Sequence, residues 1–101
     1  MVGMKVSPLF NRRIRITEES FAELVAWKLP NPIAGSVHGY KYRLAFVVKG
    51  ACVLRYDNEA GKGDHRHWDQ TEECYAFTDI DRLVADFFND LSRWRDEHSH
   101  D

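Results

Sequence analysis

The sequence predicts an α+β domain, a small antiparallel β-sheet of about four to five strands with one long C-terminal helix packed on one face. Three observations favour this fold. Apolar and polar residues alternate over much of the chain, turn-forming residues interrupt the alternating runs, and an apolar stripe of helical period follows them. The 101 residues fit a single domain, 1–101, with flexible ends predicted at 1–11 and 96–101.

Two strands are predicted at the start of the chain. Residues 13–17 alternate polar and apolar side chains, which is typical of a half-buried strand. Residues 21–29 fit either a helix, through the spacing of Phe21 and Leu24, or a strand, through alternation. The strand is favoured, because the first strand needs a hydrogen-bonding neighbour and 18–20 is a suitable hairpin connection.

A second hairpin is predicted after the segment 30–36, which is rich in Pro and Gly. Its apolar positions alternate with polar or small residues, and they are Tyr40, Tyr42, Leu44, Phe46, Val48, Cys52, Leu54 and Tyr56. A two-residue turn would pair Leu44 with Arg55. A three-residue loop over 49–51 instead pairs Leu44 with Tyr56 and keeps one face apolar, so this loop is predicted.

The rest of the chain is predicted as a surface loop, a short edge strand and a helix. Residues 57–68 contain Asn, Gly and Asp, and the strand before them is expected to end at Tyr56. An edge strand is predicted over 73–77, and a Thr78-Asp79 cap then begins the helix. The apolar stripe of the helix consists of Ile80, Leu83, Val84, Phe87, Phe88, Leu91 and Trp94.

Composition limits the function. The net charge is −2, so nucleic-acid binding would depend on a local cluster of cations and not on the whole molecule. Cys52 and Cys74 are too few for a disulfide scaffold and are predicted to be free thiols. No apolar run approaches the roughly 20 residues that span a bilayer, and residues 1–10 lack a signal-peptide core, so a cytoplasmic protein is predicted.

The candidate site is the segment Gly61-Lys62-Gly63-Asp64-His65-Arg66-His67. It contains the residue types that RNA cleavage without a metal requires, because histidine is a common general acid or base and the cations can stabilise charge on a phosphate. His65 and His67 are the candidate catalytic residues, and an extended backbone directs both to the same side. The open face of the sheet is expected to run toward this segment, with Arg43 opposite Asp57 as a cross-strand charge pair. The predicted substrate-binding residues are Lys62, Arg66, Arg55, Arg43, Lys41 and Asp57.

Three other interpretations of the segment stay open. His65 and His67 could ligate a metal, although the spacing indicates no third ligand. The candidates to complete such a shell are Asp64, Asp57, Cys74 and His38. The amides of Gly61-Lys62-Gly63 could bind an anion. The segment could also be a solvated loop whose glycines supply positive φ. No cofactor is predicted.

Four blocks of the chain resemble the TumE family of toxin-antitoxin proteins. In order they are His38-Gly39-Tyr40-Lys41-Tyr42-Arg43-Leu44, Arg55-Tyr56-Asp57-Asn58, Gly61-Lys62-Gly63-Asp64-His65-Arg66-His67 and Asp81-Arg82-Leu83-Val84-Ala85-Asp86-Phe87. The resemblance implies a small cytoplasmic toxin, similar to RelE-type toxins, encoded beside a helix-turn-helix antitoxin that neutralises it. It assigns no catalytic residue to these positions.

Together, the residues and the resemblance predict a toxin component that acts on RNA. The partners expected are the helix-turn-helix antitoxin and either RNA or the ribosome, with no membrane. A homodimer through the open sheet face or an unpaired edge strand is a further expectation. The rival hypothesis is a non-catalytic binding module, or a toxin that acts through protein contacts, and it predicts no RNA cleavage.

Overall fold

The computed structural model describes residues 6–33 and 37–98 and contains one antiparallel sheet of six strands in chain order. The strands are β1 (Ser7–Thr17), β2 (Ser20–Lys28), β3 (Tyr40–Val48), β4 (Ala51–Glu59), β5 (Gly63–Trp68) and β6 (Thr71–Cys74). One helix, α1 (Ile80–Glu97), packs on one face of the sheet. The predicted α+β class and C-terminal helix are confirmed, but the sheet has six strands and not the predicted number of about four to five.

The first hairpin confirms the strand interpretation of residues 21–29. β2 begins at Ser20, and its alternate residues up to Ala26 are buried, which is the period-two pattern of a strand with one covered face. β1 begins at Ser7 and not at Arg13, so residues 7–11 of the predicted flexible end are strand. The C-terminal residues 99–101 lie outside the described part of the chain.

The turn between β3 and β4 differs from the prediction. Lys49 and Gly50 form a two-residue turn with φ angles of 50° and 79°. Positive φ at both positions matches the twist of a hairpin, as in a type I′ turn. The predicted pairing of Leu44 with Tyr56 is nevertheless present, because a β-bulge near the turn shifts the register. The predicted register was therefore right from the pairing of Phe46 with Leu54 outward, whereas the three-residue loop was wrong, and so was the pairing of Val48 with Cys52 that it implied.

The segment predicted as a surface loop is mostly a β-hairpin. β4 continues past Tyr56 to Glu59, and β5 begins at Gly63. The chain reverses between them, where Gly61 has a φ of 83° that residues with a Cβ rarely adopt. β6 then pairs with β5, slightly before the edge strand predicted at 73–77. The hairpin places the histidines of the candidate site on a strand.

The helix α1 covers the middle of the sheet. Asp79 caps it by accepting a hydrogen bond from the main-chain N–H of Arg82 at 2.7 Å, as the sequence predicted. The buried apolar cluster between helix and sheet consists of Ala22, Leu24, Ala26, Tyr42, Leu44, Phe46, Leu54, Tyr56, Leu83, Phe87 and Leu91. Burial of these side chains is the main contribution that stabilises the fold.

A buried polar network ties α1 to β4 and β5. Nε of Arg66 donates to Oδ2 of Asp90 at 2.5 Å, and the hydroxyl of Tyr56 donates to the same oxygen at 2.7 Å. Arg66 also pairs with Glu73 on β6. Because Asp90 is only 9% exposed, its negative charge depends on these partners. The network fixes the helix side of β5, and so it also fixes the strand whose other side carries the histidines.

Candidate functional site on the open face of the sheet

The sheet face opposite α1, here called the open face, carries both predicted catalytic histidines. Across the pairing of β4 with β5, His65 lies opposite Asp57 and His67 lies opposite Arg55. Alternation along each strand sends these four side chains to the same side. They are called the open-face cluster below. The Cα atoms of the two histidines are about 7 Å apart, which is the rise of two residues along a strand.

His67 contacts both a hydrogen-bond donor and hydrogen-bond acceptors through one nitrogen. Nη2 of Arg55 lies 3.1 Å from Nε2 of His67, and Oε2 of Glu72 on β6 lies 3.0 Å from the same atom. Oδ1 of Asp57 is 3.7 Å away. A guanidinium only donates and an ionised carboxylate only accepts, so Arg55 suits an unprotonated Nε2 and Glu72 suits a protonated one. His67 therefore has a partner in either state.

His65 is the member of the cluster whose side chain has no partner among the described residues. Its side chain is half-buried and makes no hydrogen bond, ion pair or ring contact with any residue of the described part of the chain. Its cross-strand neighbours are Asp57 on β4 and Cys74 on β6. Both ring nitrogens are therefore available to a molecule that approaches the open face.

Arg55 is held between Asp57 and His67. Nε of Arg55 lies 3.1 Å from Oδ2 of Asp57, which is close enough for an ion pair. The N–H is not aligned with that oxygen, however, and the buried Nε has no hydrogen-bond partner among residues 6–33 and 37–98. Asp57 is itself only 8% exposed, and its negative charge orients the guanidinium of Arg55.

Two further predicted substrate-binding cations lie on the open face, on β3. Arg43 is opposite Asp57, as the predicted register required, but its ion pair is with Glu23 of β2, at 3.5 Å. The predicted charge pair between Arg43 and Asp57 is therefore not formed. Lys41 donates from Nζ to the main-chain oxygen of Asn58. Both cations border the open-face cluster and are partly engaged.

The remaining two predicted cations lie apart from the cluster. Arg66 is one position out of phase with His65 and His67, so it projects to the helix side and bonds to Asp90. Lys62 lies in the exposed turn before β5, 3.9 Å from Glu59. The sheet thus brings together His65, His67, Arg55, Asp57, Arg43 and Lys41, and it separates Arg66 and Lys62 from them.

A separate histidine network lies on the helix side. Nε2 of His38 is 2.7 Å from Oδ2 of Asp64, and the hydroxyl of Tyr42 donates to that oxygen at 2.6 Å. Nδ1 of His38 accepts a hydrogen bond from the main-chain N–H of Tyr40 at 3.1 Å, so Nε2 is the donor to Asp64. Phe77 stacks on the imidazole with ring centroids 3.9 Å apart. Both nitrogens of His38 are occupied, which makes its role structural.

Three tyrosines on the helix side stay protonated at neutral pH. Burial, and then the hydrogen bond to Asp64, raises the pKa of Tyr42 above its ordinary value. Burial and hydrogen bonds to carboxylates of α1 raise the pKa of Tyr56 and of Tyr75 in the same way. Their hydroxyls act as donors that hold the fold together, and they do not join the open-face cluster.

Glu72 is a site residue that was not predicted from the sequence. It lies opposite His67 on β6, beyond the two-residue turn at 69–70. Asp69 in that turn has a φ of 52°, a conformation that Asp tolerates better than most residues. Continuing the alternation of His65 and His67 through such a turn would have placed Glu72 on the open face.

The metal interpretation required a third ligand. Within the described ranges, no three His, Cys, Asp or Glu side chains are grouped as metal ligands. Cys74 is next to His65 across the strands but is exposed, and Cys52 is also a free, exposed thiol. Both cysteines are free, as the sequence predicted.

The fold and the open-face cluster define a small α+β domain with histidine, arginine and carboxylate side chains on the face of the sheet that α1 leaves open. The sequence model of the family described as toxin TumE matches residues 5–95. The chain therefore belongs to the TumE toxin family, which confirms the resemblance, and a toxin role implies a cognate antitoxin. No curated protein and no solved structure matches the chain significantly. No helix within 6–33 and 37–98 is long and apolar enough to cross a membrane.

Proposed function

We propose that the protein is a toxin that cleaves RNA by metal-independent acid-base catalysis on its open face, with His65 and His67 as catalytic residues. One observation carries this proposal, the position of Nε2 of His67 between Nη2 of Arg55 at 3.1 Å and Oε2 of Glu72 at 3.0 Å. An imidazole with a partner in each protonation state can lose and regain a proton without leaving a polar atom unsatisfied.

The reaction uses the ribose 2′-hydroxyl of the RNA as the nucleophile. His65 takes its proton as general base, the 2′-oxygen forms a bond to phosphorus, and the bond from phosphorus to the 5′-oxygen breaks. His67, protonated at Nε2, gives its proton to the leaving 5′-oxygen. The products are a 2′,3′-cyclic phosphate and a 5′-hydroxyl end. His65 is the base because no described residue competes for its ring nitrogens.

Arg55 stabilises the charge that develops on the phosphate. Its guanidinium is adjacent to His67 and is oriented by Asp57, so little reorganisation is needed in the transition state. Arg43 and Lys41 extend the cationic path along β3 and bind neighbouring phosphates. Lys62, whose side chain is 67% exposed, can reach a phosphate beyond the turn.

Two predicted substrate-binding residues receive other roles in this scheme. Asp57 orients Arg55 and His67 and does not contact RNA, because a buried carboxylate would repel a phosphate. Arg66 is bonded to Asp90 and Glu73 on the helix side, so it positions β5 and leaves the phosphate to Arg55.

A toxin that acts as a non-catalytic binding module is the second candidate. Its support is the charge balance of the open face, where Glu23, Asp57 and Glu72 lie within 4 Å of cationic or imidazole nitrogens. Such a face is less suited to bind a polyanion tightly and more suited to a protein surface of mixed charge. In either case the partner that neutralises the toxin is a helix-turn-helix antitoxin, and the toxin acts in the cytoplasm.

Growth arrest on induced expression tests the assignment. Replacing both His65 and His67 by Ala should abolish arrest in a host that lacks the antitoxin. The matched control is His98→Ala, because His98 lies exposed at the end of α1 and contacts Trp94, away from the open face. Thermal unfolding of the purified variants verifies that each is folded. Undiminished arrest by the folded double variant would overturn the roles of both histidines.

A further inference from the structure

We propose that β1 is the docking edge for the cognate antitoxin, which adds an acidic, extended segment to the sheet as a further strand. This inference depends on membership of a toxin family and not on the chemistry of the open face. It rests on four features of this edge: its unpaired backbone, its arginines, the half-buried apolar side chains beside them and a hollow at its hairpin end.

The backbone of β1 has a long unpaired side. β1 is the first strand in the order of the sheet and pairs only with β2 among the described residues. It has 11 residues, whereas the opposite edge strand, β6, has 4. In an antiparallel edge strand every second residue directs its N–H and C=O away from the sheet. Irregularities near Pro8 and near Ile16 bound a regular stretch at 10–15, which can form a ladder with another strand.

The regular stretch carries three arginines that have few partners. Arg12 and Arg15 make no ion pair or hydrogen bond with residues 6–33 and 37–98. Arg13 pairs with Glu23 at 2.8 Å and lies over the ring of Phe21, 4.2 Å from its centroid. An edge with unpaired cations therefore favours a partner segment that carries carboxylates.

The two faces of β1 present different side chains, which fixes the pattern expected of the partner. Arg12 pairs in register with Leu24 and so lies on the helix side, between the half-buried Phe10 and Ile14. Arg13 and Arg15 lie on the open face. The added strand should thus place an acid flanked by apolar residues on the helix side, where it would cover Phe10 and Ile14. On the open face it should place acids beside the arginines.

A hollow at the hairpin end of β1 fits this arrangement. It has a volume of about 440 Å³ and is lined in part by Arg13, Arg15 and Phe21. An added strand that follows β1 toward Thr17 passes over this hollow, and an acidic or aromatic side chain can enter it. The hollow therefore gives the docking edge a place for one specific side chain of the partner.

Two other occupants suit this edge less well. A second copy of the chain would bring the arginines of one β1 close to those of the other, and like charges across paired strands are destabilising. RNA would be attracted by the arginines, but it cannot continue a ladder of alternating N–H and C=O groups. A polypeptide with carboxylates uses both the charge and the backbone.

Hydrogen-deuterium exchange of the full-length toxin, free and bound to its full-length cognate antitoxin, tests the proposal. The amides of residues 10–15 should exchange at least roughly tenfold more slowly in the complex, because strand addition pairs the outward-facing N–H groups. Protection elsewhere with unchanged exchange in residues 10–15 would overturn the proposal. The measurement uses the unmutated chain, so a folding defect cannot obscure it.

Charge reversal provides the second test. The variant Arg12→Glu/Arg15→Glu should weaken antitoxin binding by roughly tenfold or more, measured by calorimetry at low and at physiological salt. The matched control Arg82→Glu/Arg95→Glu makes the same change in net charge on the exposed side of α1 and should bind as the wild type does. Equal binding by the two variants would overturn the proposal. So would a variant that keeps antitoxin binding and loses binding to RNA or self-association.

Discussion

Arg55 on β4 lies directly opposite His67 on β5, with Nη2 of the arginine 3.1 Å from Nε2 of the histidine. In this arrangement the guanidinium can stabilise negative charge. The imidazole, which also contacts a carboxylate, can exchange a proton. The carboxylate is Glu72, 3.0 Å from the same nitrogen. This three-residue relationship makes the open face, and not the helix side, the place to look for activity.

Replacing Glu72 tests whether His67 is positioned from β6. The change Glu72→Gln should lower toxin activity, because the protonated form of His67 then loses the nearer of its two carboxylate partners and keeps only Asp57, at 3.7 Å. The loss should be smaller than the roughly 10²-fold or greater loss expected for His67→Ala. RNA cleavage by the purified variants measures both.

The adjacent residue provides the control for Glu72. Glu73 lies on the helix side and pairs with Arg66, so Glu73→Gln removes the same charge from the same strand without touching the open face. It should retain wild-type cleavage. Equal effects of the two substitutions would show that charge on β6, and not contact with His67, controls the activity.

Replacing Arg66 should mainly lower the free energy of unfolding, because its role is structural. The side chains of Arg66 and Asp90 are only 18% and 12% exposed, and replacing Arg66 leaves the carboxylate of Asp90 buried without an opposite charge. The change Arg66→Met should therefore lower the free energy of unfolding by about 3 kcal/mol, measured by urea denaturation. The double variant Arg66→Met/Asp90→Leu should recover part of the loss.

A surface ion pair provides the comparison for Arg66. Lys49 is 73% exposed and 3.5 Å from Glu19, so Lys49→Gln should change the free energy of unfolding by less than about 1 kcal/mol. If Arg66→Met keeps full stability and loses RNA cleavage, Arg66 acts on the substrate and its structural role is wrong.

The buried tyrosines should make the protein sensitive to alkali. Burial and the hydrogen bond to Asp64 raise the pKa of Tyr42 in the folded chain above the value of about 10 that tyrosine has when unfolded. The folded state then binds the proton more tightly. The stabilisation is complete below pH about 10 and is lost as the pH rises beyond it, so the free energy of unfolding should fall above that pH.

Removing the hydroxyl of Tyr42 separates this effect from general alkaline unfolding. The change Tyr42→Phe should lower the free energy of unfolding by about 1 to 3 kcal/mol at pH 8 and make the decline above pH 10 shallower. The hydroxyl of Tyr40 makes no hydrogen bond with a described residue, so Tyr40→Phe should leave the slope unchanged. An equally steep decline in Tyr42→Phe and wild type would contradict the account.

The hydrophobic period of the sequence predicts the elements that bury apolar side chains. In α1 the buried Leu83, Phe87 and Leu91 are spaced as the stripe required, and Asp79 caps the helix. In the second hairpin, the requirement for one apolar face was enough to select the pairing of Leu44 with Tyr56. The turn itself could not be derived, because the bulge beside it allows a shorter loop with the same pairing.

The sequence could not reveal β5, because the covered side of this strand is largely polar. Its helix side carries Asp64, Arg66 and Trp68, and a strand with polar residues on both faces has no hydrophobic period. The partners that satisfy these groups include Tyr42 and Asp90, which lie far along the chain. The structure shows that the turn occupies only the short connection between Glu59 and Gly63, and that the residues after it form a strand.

The candidate site could also be predicted only in part, because its histidines lie on β5, which the sequence did not reveal as a strand. The spacing of His65 and His67 places them on one side of any extended backbone, and this holds in β5. A loop gives no such rule for the intervening Arg66, which was therefore predicted to act with the histidines although it lies on the other face. The contribution of Glu72 depends on β6, which begins before the predicted edge strand.

Incubation of the purified protein with RNA, with and without EDTA, shows whether the open face cleaves RNA without a metal. Cleavage should resist the chelator and leave 2′,3′-cyclic phosphate ends. His65→Ala and His67→Ala should each lower the rate by roughly 10²-fold or more, while His98→Ala should not. Absence of cleavage, cleavage that EDTA abolishes, or undiminished cleavage by the folded double histidine variant would contradict the proposed mechanism.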